Sequence, residues 1–285
     1  MKIEFTKMEG LGNDFLFIDD RKESIKKQAD FSLLSKRLCS RHFGIGADGI
    51  VIISNSKKED FKFTIYNSDG TQPQMCGNGM RCFAKYLYEN KITSKKMLRV
   101  ETKAGLIISE VITNARGDVE FVKVDMGEPV LTPSEIPFIT ENSKAIKENL
   151  DLDGGKNRVE VTAVSMGNPH AVLFVNDINK IDVEALGQKI ENHERFPEKT
   201  NVEFIEIVKE DELIMKVWER GAGRTLACGT GACAALVAGC LNNKCLNKAT
   251  IHLDGGDLKI EWDLENNHIY KTGRASFVFK GRVVI

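Results

Sequence analysis

Cys76-Gly77-Asn78-Gly79 and Cys228-Gly229-Thr230-Gly231 decide the reading of this chain, because one Cys-Gly-x-Gly frame stands twice, at positions 76 and 228, 152 apart. The correspondence extends outward from the frame. Phe61–Tyr66 aligns with Leu213–Trp218 at the same offset, each a strand-like stretch ending ten residues before its cysteine. Gly12-Asn13 recurs as Gly167-Asn168 at an offset of 155, and Gly105–Glu110 meets Gly256–Glu261 at 151. A near-constant offset of this length marks an internal duplication into two domains rather than a solenoid.

The bulk numbers agree with two ordinary domains. The chain has 285 residues, 42% hydrophobic and 28% charged, with six prolines and no low-complexity run. With a formal net charge of −1 and Lys and Arg scattered among Asp and Glu, a nucleic-acid binder, which usually shows a basic face, is not expected. Met1–Lys7 lacks the apolar core of a signal peptide, and no stretch reaches the ~20 apolar residues of a membrane span. Seven cysteines, an odd number, point to reduced thiols and a cytoplasmic protein.

Leu16–Asp19, Ile50–Ile53 and Phe61–Tyr66 read as strands, and Phe31, Leu33, Leu34, Arg37 and Leu38 give a helical spacing that ends near Arg41-His42. Met80, Phe83, Ala84, Leu87 and Tyr88 form an amphipathic stripe directly after Cys76. The second half repeats the plan: strands at Leu173–Val175 and 202–208, a helix from Ile181 to Ile190, and a helix from Ala232 to Leu241 that is apolar nearly all round. Gly127-Glu128-Pro129, with Pro133 and Pro137 behind it, punctuates the middle. The expectation is an α+β fold (α/β by some schemes), duplicated, with strands wrapped around one cysteine-led helix per domain. The N-terminal domain takes residues 1–126 plus 274–285 and carries Cys76; the C-terminal domain takes 127–273 and carries Cys228.

Each of these cysteines stands where a strand gives way to a helix. A helix start offers unpaired N–H groups and partial positive charge, which stabilise a thiolate and bind a carboxylate. A thiol with an ordinary pKa of about 8.5 can fall to roughly 3.5–7.5 in such a place. Two such starts facing one carbon could remove a proton from one side and deliver one to the other. For a single copy, a structural turn with a small buried cysteine is the better reading; the second copy in matching context reverses that. Cys82, Cys233 and Cys240 lie on apolar helix stripes and read as core. No Cys-x-x-Cys occurs, so a zinc ribbon or thioredoxin-type site lacks its spacing, and no metal is expected. Gly44–Gly49 matches Gly-x-Gly-x-x-Gly but follows a helix and precedes a strand, the reverse of a dinucleotide site.

At these residues the sequence resembles the diaminopimelate epimerase family nearly end to end. The resemblance is carried by Gly10–Phe15, Tyr66–Gly70, Cys76–Cys82, Met166–His170, Glu219–Thr225 and Ala227–Cys233, in order and spacing. It implies a cofactor-independent epimerase of lysine and peptidoglycan precursor synthesis, interconverting LL- and meso-2,6-diaminopimelate. Two pseudo-symmetric domains with the site in the cleft between them, and a homodimer, are also implied. Carried over by motif, Cys76 and Cys228 are the acid/base pair, and backbone N–H groups of Gly77, Asn78, Gly229 and Thr230 hold the reacting carboxylate. Asn13, Asn67, Asn168, Asn201, Glu219 and Arg220 surround the substrate, mainly its distal end, and His170 and Glu219 tune a cysteine. Arg220 can take a carboxylate bidentately, and Asn and Glu can pair with an ammonium. Gly49 is a departure, since many members carry Gln there. Which cysteine is the thiolate at rest stays open.

Two rivals bracket this reading. Proline and hydroxyproline racemases resemble the family in fold and cysteine pair, but typically show His after the first Cys-Gly, where this chain has Asn78, and have no use for Arg220 at a distal end. A non-catalytic thiol protein that senses oxidation through Cys76 and Cys228 is the alternative from another class. Asparagines beside Gly or Pro often serve turns only, and His42, His193, His252 and His268 are given no role.

Overall fold

Lys2–Gly10 (β1) alternates buried and exposed positions and pairs antiparallel with the more apolar Asn13–Asp19 (β2), with Met8 opposite Phe15. The computed structural model to which these strands belong describes residues 1–154 and 157–285. The chain divides into two units, Met1–Asp125 with Thr272–Ile285, and Met126–Lys271.

In the first unit, helix α1 (Phe31–Cys39) starts where the Asp30 carboxylate accepts the N–H groups of Ser32 and Leu33. It leads into β3 (Gly49–Ser54), which lies parallel to β2, with Gly49 opposite Phe15. A continuous apolar run suits this strand because Gly49–Ile53 are buried throughout. β4 (Phe61–Asn67) runs antiparallel to β3, pairing Asn67 with Gly49. Helix α2 (Gly77–Glu89) follows and packs against β1, β2 and β3. Then come β5 (Met97–Thr102), parallel to β4, and the antiparallel β6 (Gly105–Thr113) and β7 (Val119–Asp125), which also touch α2. One core joins Leu16 and Ile18 of β2, Leu34 and Leu38 of α1, and Ile50 and Ile52 of β3. At about 1.5–3 kcal/mol per buried aliphatic side chain, such a core and not helix propensity holds a nine-residue helix in place.

The second unit repeats the order. β8 (Glu148–Asp151) and β9 (Arg158–Ser165) precede β10 (Pro169–Phe174), which reverses tightly from β9 at Gly167-Asn168. Helix α3 (Val183–Glu191), capped by Asp182, leads to β11 (Asn201–Lys209), parallel to β10 with Asn201 opposite His170. β12 (Glu212–Glu219) runs antiparallel to β11, and a short β13 (Gly223–Thr225) folds back on it. Helix α4 (Gly229–Leu241) is followed by β14 (Lys248–Leu253), parallel to β12, and by the antiparallel β15 (Gly256–Trp262). β16 (Ile269–Gly273) contains the boundary between units, and β17 (Ser276–Val284) pairs antiparallel with β1. The registers Phe15–Gly49 and His170–Asn201 superimpose the two units at the offsets read in the sequence. The fold is α+β and duplicated, with α2 and α4 as equivalent helices.

Three sequence expectations need adjustment. α1 ends at Cys39, short of Arg41-His42, and Val175 lies beyond the end of β10. Cys82 and Cys233 are wholly buried, and burial pushes the Cys82 thiol up to about 12. Cys240 is only half-buried, because the last turn of α4 emerges from the core, and its thiol donates to the Leu246 carbonyl at 3.3 Å. Among the described residues no helix is long and apolar enough to cross a membrane.

Candidate active site

Both singled-out cysteines are helix N-caps. Cys76 has extended backbone (φ −138°, ψ 116°), and its sulfur accepts the Gly79 N–H at 3.5 Å. Cys228 repeats this (φ −114°, ψ 111°) with the Gly231 N–H at 3.4 Å. The first intrahelical bonds run from Met80 N to Cys76 O (2.8 Å) and from Ala232 N to Cys228 O (3.0 Å). The N–H groups of Gly77, Asn78, Gly229 and Thr230 therefore precede the hydrogen-bonded helix and point out of its positive end, the arrangement that receives a carboxylate.

In the first unit, Asn13 and Asn78 join Cys76. Cys76 Sγ lies 3.7 Å from Asn13 Oδ1, which also accepts from Asn78 Nδ2 at 3.4 Å. Asn13 Nδ2 donates to Asp48 at 2.7 Å. Asn67, at the end of β4, donates to the Thr71 hydroxyl at 3.0 Å within its own turn. A side chain at position 49 has no room in this strand pair: a Cβ there would sit 2.5 Å from the Tyr66 carbonyl oxygen.

In the second unit the neighbours of the thiol are ionisable. Donor atoms of His170, Glu203 and Cys228 lie within 4.8 Å of one another, all buried. His170 Nδ1 is 2.7 Å from Glu203 Oε1, and its Nε2 is 3.0 Å from Asn168 Oδ1. Burial raises the Glu203 pKa, the His170 charge opposing it and Glu219 adding to it. Glu203 Oε2 is buried with no hydrogen-bond partner among the described residues, which disfavours a carboxylate. One proton is then shared across the 2.7 Å Oε1–Nδ1 contact, and His170 Nε2 lies against the Asn168 amide oxygen. A cation among these three groups would have to break the 2.7 Å pair, so the cluster reads as a proton-holding group and not a metal centre. Burial, then Glu219 and Glu203, push the Cys228 thiol well above its ordinary value. The Gly231 N–H and the Thr230 hydroxyl, 3.5 Å away, act the other way.

The residues expected at the distal end are also tied together. Asn201 is buried; its Nδ2 donates to the Pro169 carbonyl at 2.8 Å and its Oδ1 accepts the Arg220 N–H at 3.0 Å. Its amide thus holds the turn that carries Glu219 and Arg220. Glu219 accepts from the Thr225 hydroxyl. Arg220 is exposed, with Nη1 on the Glu198 carbonyl at 2.9 Å.

Sequence reasoning missed three supports. Glu203 sits on a strand face that alternation would give to solvent, yet it is covered by α4: a Cβ on Gly231 would come within 2.5 Å of its Oε1. The signal available was its alignment with Val51 of the fully apolar Ile50–Ile53 run, which marks both faces as buried. Asp48 was dismissed with the glycine motif around it. Glu191, nearly buried, accepts from Trp218 Nε1 (2.7 Å) and from the Gly221 N–H (3.0 Å), bracing the same Glu219–Gly221 turn.

Residues 5–132 and 162–278 match the family described as diaminopimelate epimerase. A diaminopimelate epimerase of Desulforapulum autotrophicum is 54% identical over the whole of both chains, and one of Heliobacterium modesticaldum is 50% identical over 99% of each. Among solved structures, a phenazine biosynthesis protein of the PhzF family from Bacillus anthracis superposes with a TM-score of 0.71 at 15% identity, covering 100% of both chains. A hydroxyproline epimerase from Agrobacterium vitis does so with 0.68 at 13% identity, covering 99% of this chain and 91% of its own. At those identities the two structures speak for the shared fold alone.

Proposed function

We propose, from the premise that this chain belongs to the diaminopimelate epimerase family, that it interconverts LL- and meso-2,6-diaminopimelate without a cofactor, one cysteine acting as base and the other as acid. The observation that carries this reading is the repeated cap: each unit presents one thiol at a helix start beside N–H groups not yet used by the helix. Held by those donors, the substrate carboxylate draws off charge as the neighbouring Cα is deprotonated, which is electrostatic stabilisation where charge develops. One thiolate takes the Cα proton and the other thiol returns one from the opposite face, so configuration inverts and the enzyme ends with the proton on the other sulfur.

Arg220 is the distal carboxylate partner in this reading, and Glu219, Asn67 and Asn168 are partners for the distal ammonium. Glu203 and His170 lie beside Cys228, and Glu203 helps to keep its thiol protonated. Lysine and peptidoglycan precursor synthesis in the cytoplasm is the setting, and a homodimer the assembly, that the family supports. Conversion of LL-diaminopimelate to the meso isomer by the reduced, purified protein without added pyridoxal phosphate tests the reading. A lack of conversion by folded protein with seven titratable thiols contradicts it.

A further inference from the structure

Each sulfur accepts one backbone N–H, Cys76 from Gly79 and Cys228 from Gly231, but the side chain that hydrogen-bonds it differs. Cys228 faces Thr230, a hydroxyl that rotates to give or to take a proton. Cys76 faces an amide, which gives through nitrogen and takes through oxygen, and its orientation is settled from outside. Asn13 Nδ2 donates to the Asp48 carboxylate at 2.7 Å, and a carboxylate only accepts. Asn78 Nδ2 donates to Asn13 Oδ1 at 3.4 Å, while Asn78 Oδ1 accepts from Arg81 Nη1 at 3.0 Å, and a guanidinium only donates. A chain of four residues thus runs Arg81 to Asn78 to Asn13 to Asp48, with a cation at one end and an anion at the other. Turning Asn78 over sets N–H against N–H at Arg81; turning Asn13 over sets oxygen against oxygen at Asp48.

Both ends are built in. Arg81 is wholly buried in α2, with Nε on the Arg274 carbonyl at 3.1 Å. Asp48 is held by Arg41 at 2.8 Å and by the Asp14 N–H at 3.1 Å, and Asp14 in turn by Lys7 at 2.7 Å. Position for position in the duplicate, Thr200 stands for Asp48 and Cys233 for Arg81, so the second unit has no such chain.

We propose that Asp48 and Arg81 are positioning residues that hold the Asn13 oxygen toward Cys76, so that the resting Cys76 sulfur is a thiol donating to Asn13. A thiolate at Cys76 would face that oxygen. This rests on the two-thiol reading and assigns what holds one of its two thiols.

The test is the rate at which iodoacetamide alkylates Cys76 in the free enzyme at pH 7.5, read by peptide mass spectrometry with Cys228 as the internal reference. Asp48→Asn lets Asn13 turn its nitrogen to the sulfur, and Cys76 alkylation is expected to rise about tenfold, the equivalent of one pKa unit. Asp14→Asn removes a charge from the same cluster without freeing the amide, and its effect is expected to stay under about threefold, well short of that unit. Asn13→Asp sets a carboxylate at the thiol and slows alkylation. An unchanged rate in folded Asp48→Asn, an equal acceleration in Asp14→Asn, or no slowing in Asn13→Asp overturns the proposal. Alkylation reads the resting thiol whether or not diaminopimelate is turned over. Failure of the variants in a working epimerase therefore refutes the polarity, and an inactive enzyme with the expected variants refutes the function.

Discussion

Glu203 Oε1 lies 2.7 Å from His170 Nδ1, and both side chains are fully excluded from solvent. With the Glu203 pKa raised by burial, the folded protein keeps a proton that the unfolded chain loses once pH passes the ordinary carboxyl value near 4.3. Stability then falls as pH rises through the window up to the raised value, and below the ordinary value the penalty vanishes. Glu203→Gln cannot ionise and still donates to Nδ1. Its melting temperature is expected to match the parent near pH 4 and to exceed it increasingly toward pH 8, with activity within about tenfold. Parallel melting curves across that range would mean that Glu203 carries charge in the fold.

Replacing either cysteine should separate cap from chemistry. Serine is a better N-cap than cysteine, so Cys76→Ser and Cys228→Ser are expected to melt at or above the parent temperature. Epimerisation should nonetheless drop by at least ~10²–10⁴, the usual worth of a positioned acid or base. Calorimetry together with an assay of LL-to-meso conversion reads both.

Arg220 should set the substrate class. Its side chain is exposed, and its backbone N–H, not its guanidinium, is what Asn201 holds, so Arg220→Met is expected to keep the fold. Losing a charged hydrogen bond worth about 1.5–3 kcal/mol should lower kcat/KM roughly 10- to 100-fold. Lysine, which lacks the distal carboxylate, should be a poor substrate for the parent, and DD-diaminopimelate should not turn over. Comparable rates on lysine would remove Arg220 from this role.

Gly49 marks a packing limit. A Cβ there meets a backbone oxygen at 2.5 Å, which no rotamer change relieves. Gly49→Ala is expected to cost roughly 1–3 kcal/mol as the β3–β4 pair is forced apart, measurable by denaturant unfolding.

The duplication was legible because the repeated frame marks the one place where each unit changes from strand to helix, and glycine there leaves a trace that substitution elsewhere erases. Strands such as Ile50–Ile53 and helix α4 were legible from unbroken apolar runs. β1 and β17 were not, since β1 mixes Lys and Glu with its buried Ile3 and Phe5 and β17 is exposed along most of its length. The cysteines and Asn13 were found through their motifs. Glu203, Asp48 and Glu191 were not, because a paired acid and a solvated one look alike in sequence until the partner that satisfies it, His170, Asn13 or Trp218, is brought across from another element.

The two-thiol account meets its most direct test in D₂O, with LL-diaminopimelate followed by NMR and mass spectrometry through the first few per cent of reaction. Acid and base are different sulfurs in this account, so the meso product should carry deuterium at the inverted carbon while recovered LL substrate remains unlabelled. Meso product that retains the substrate's own hydrogen would show one group acting on both faces, and would contradict it.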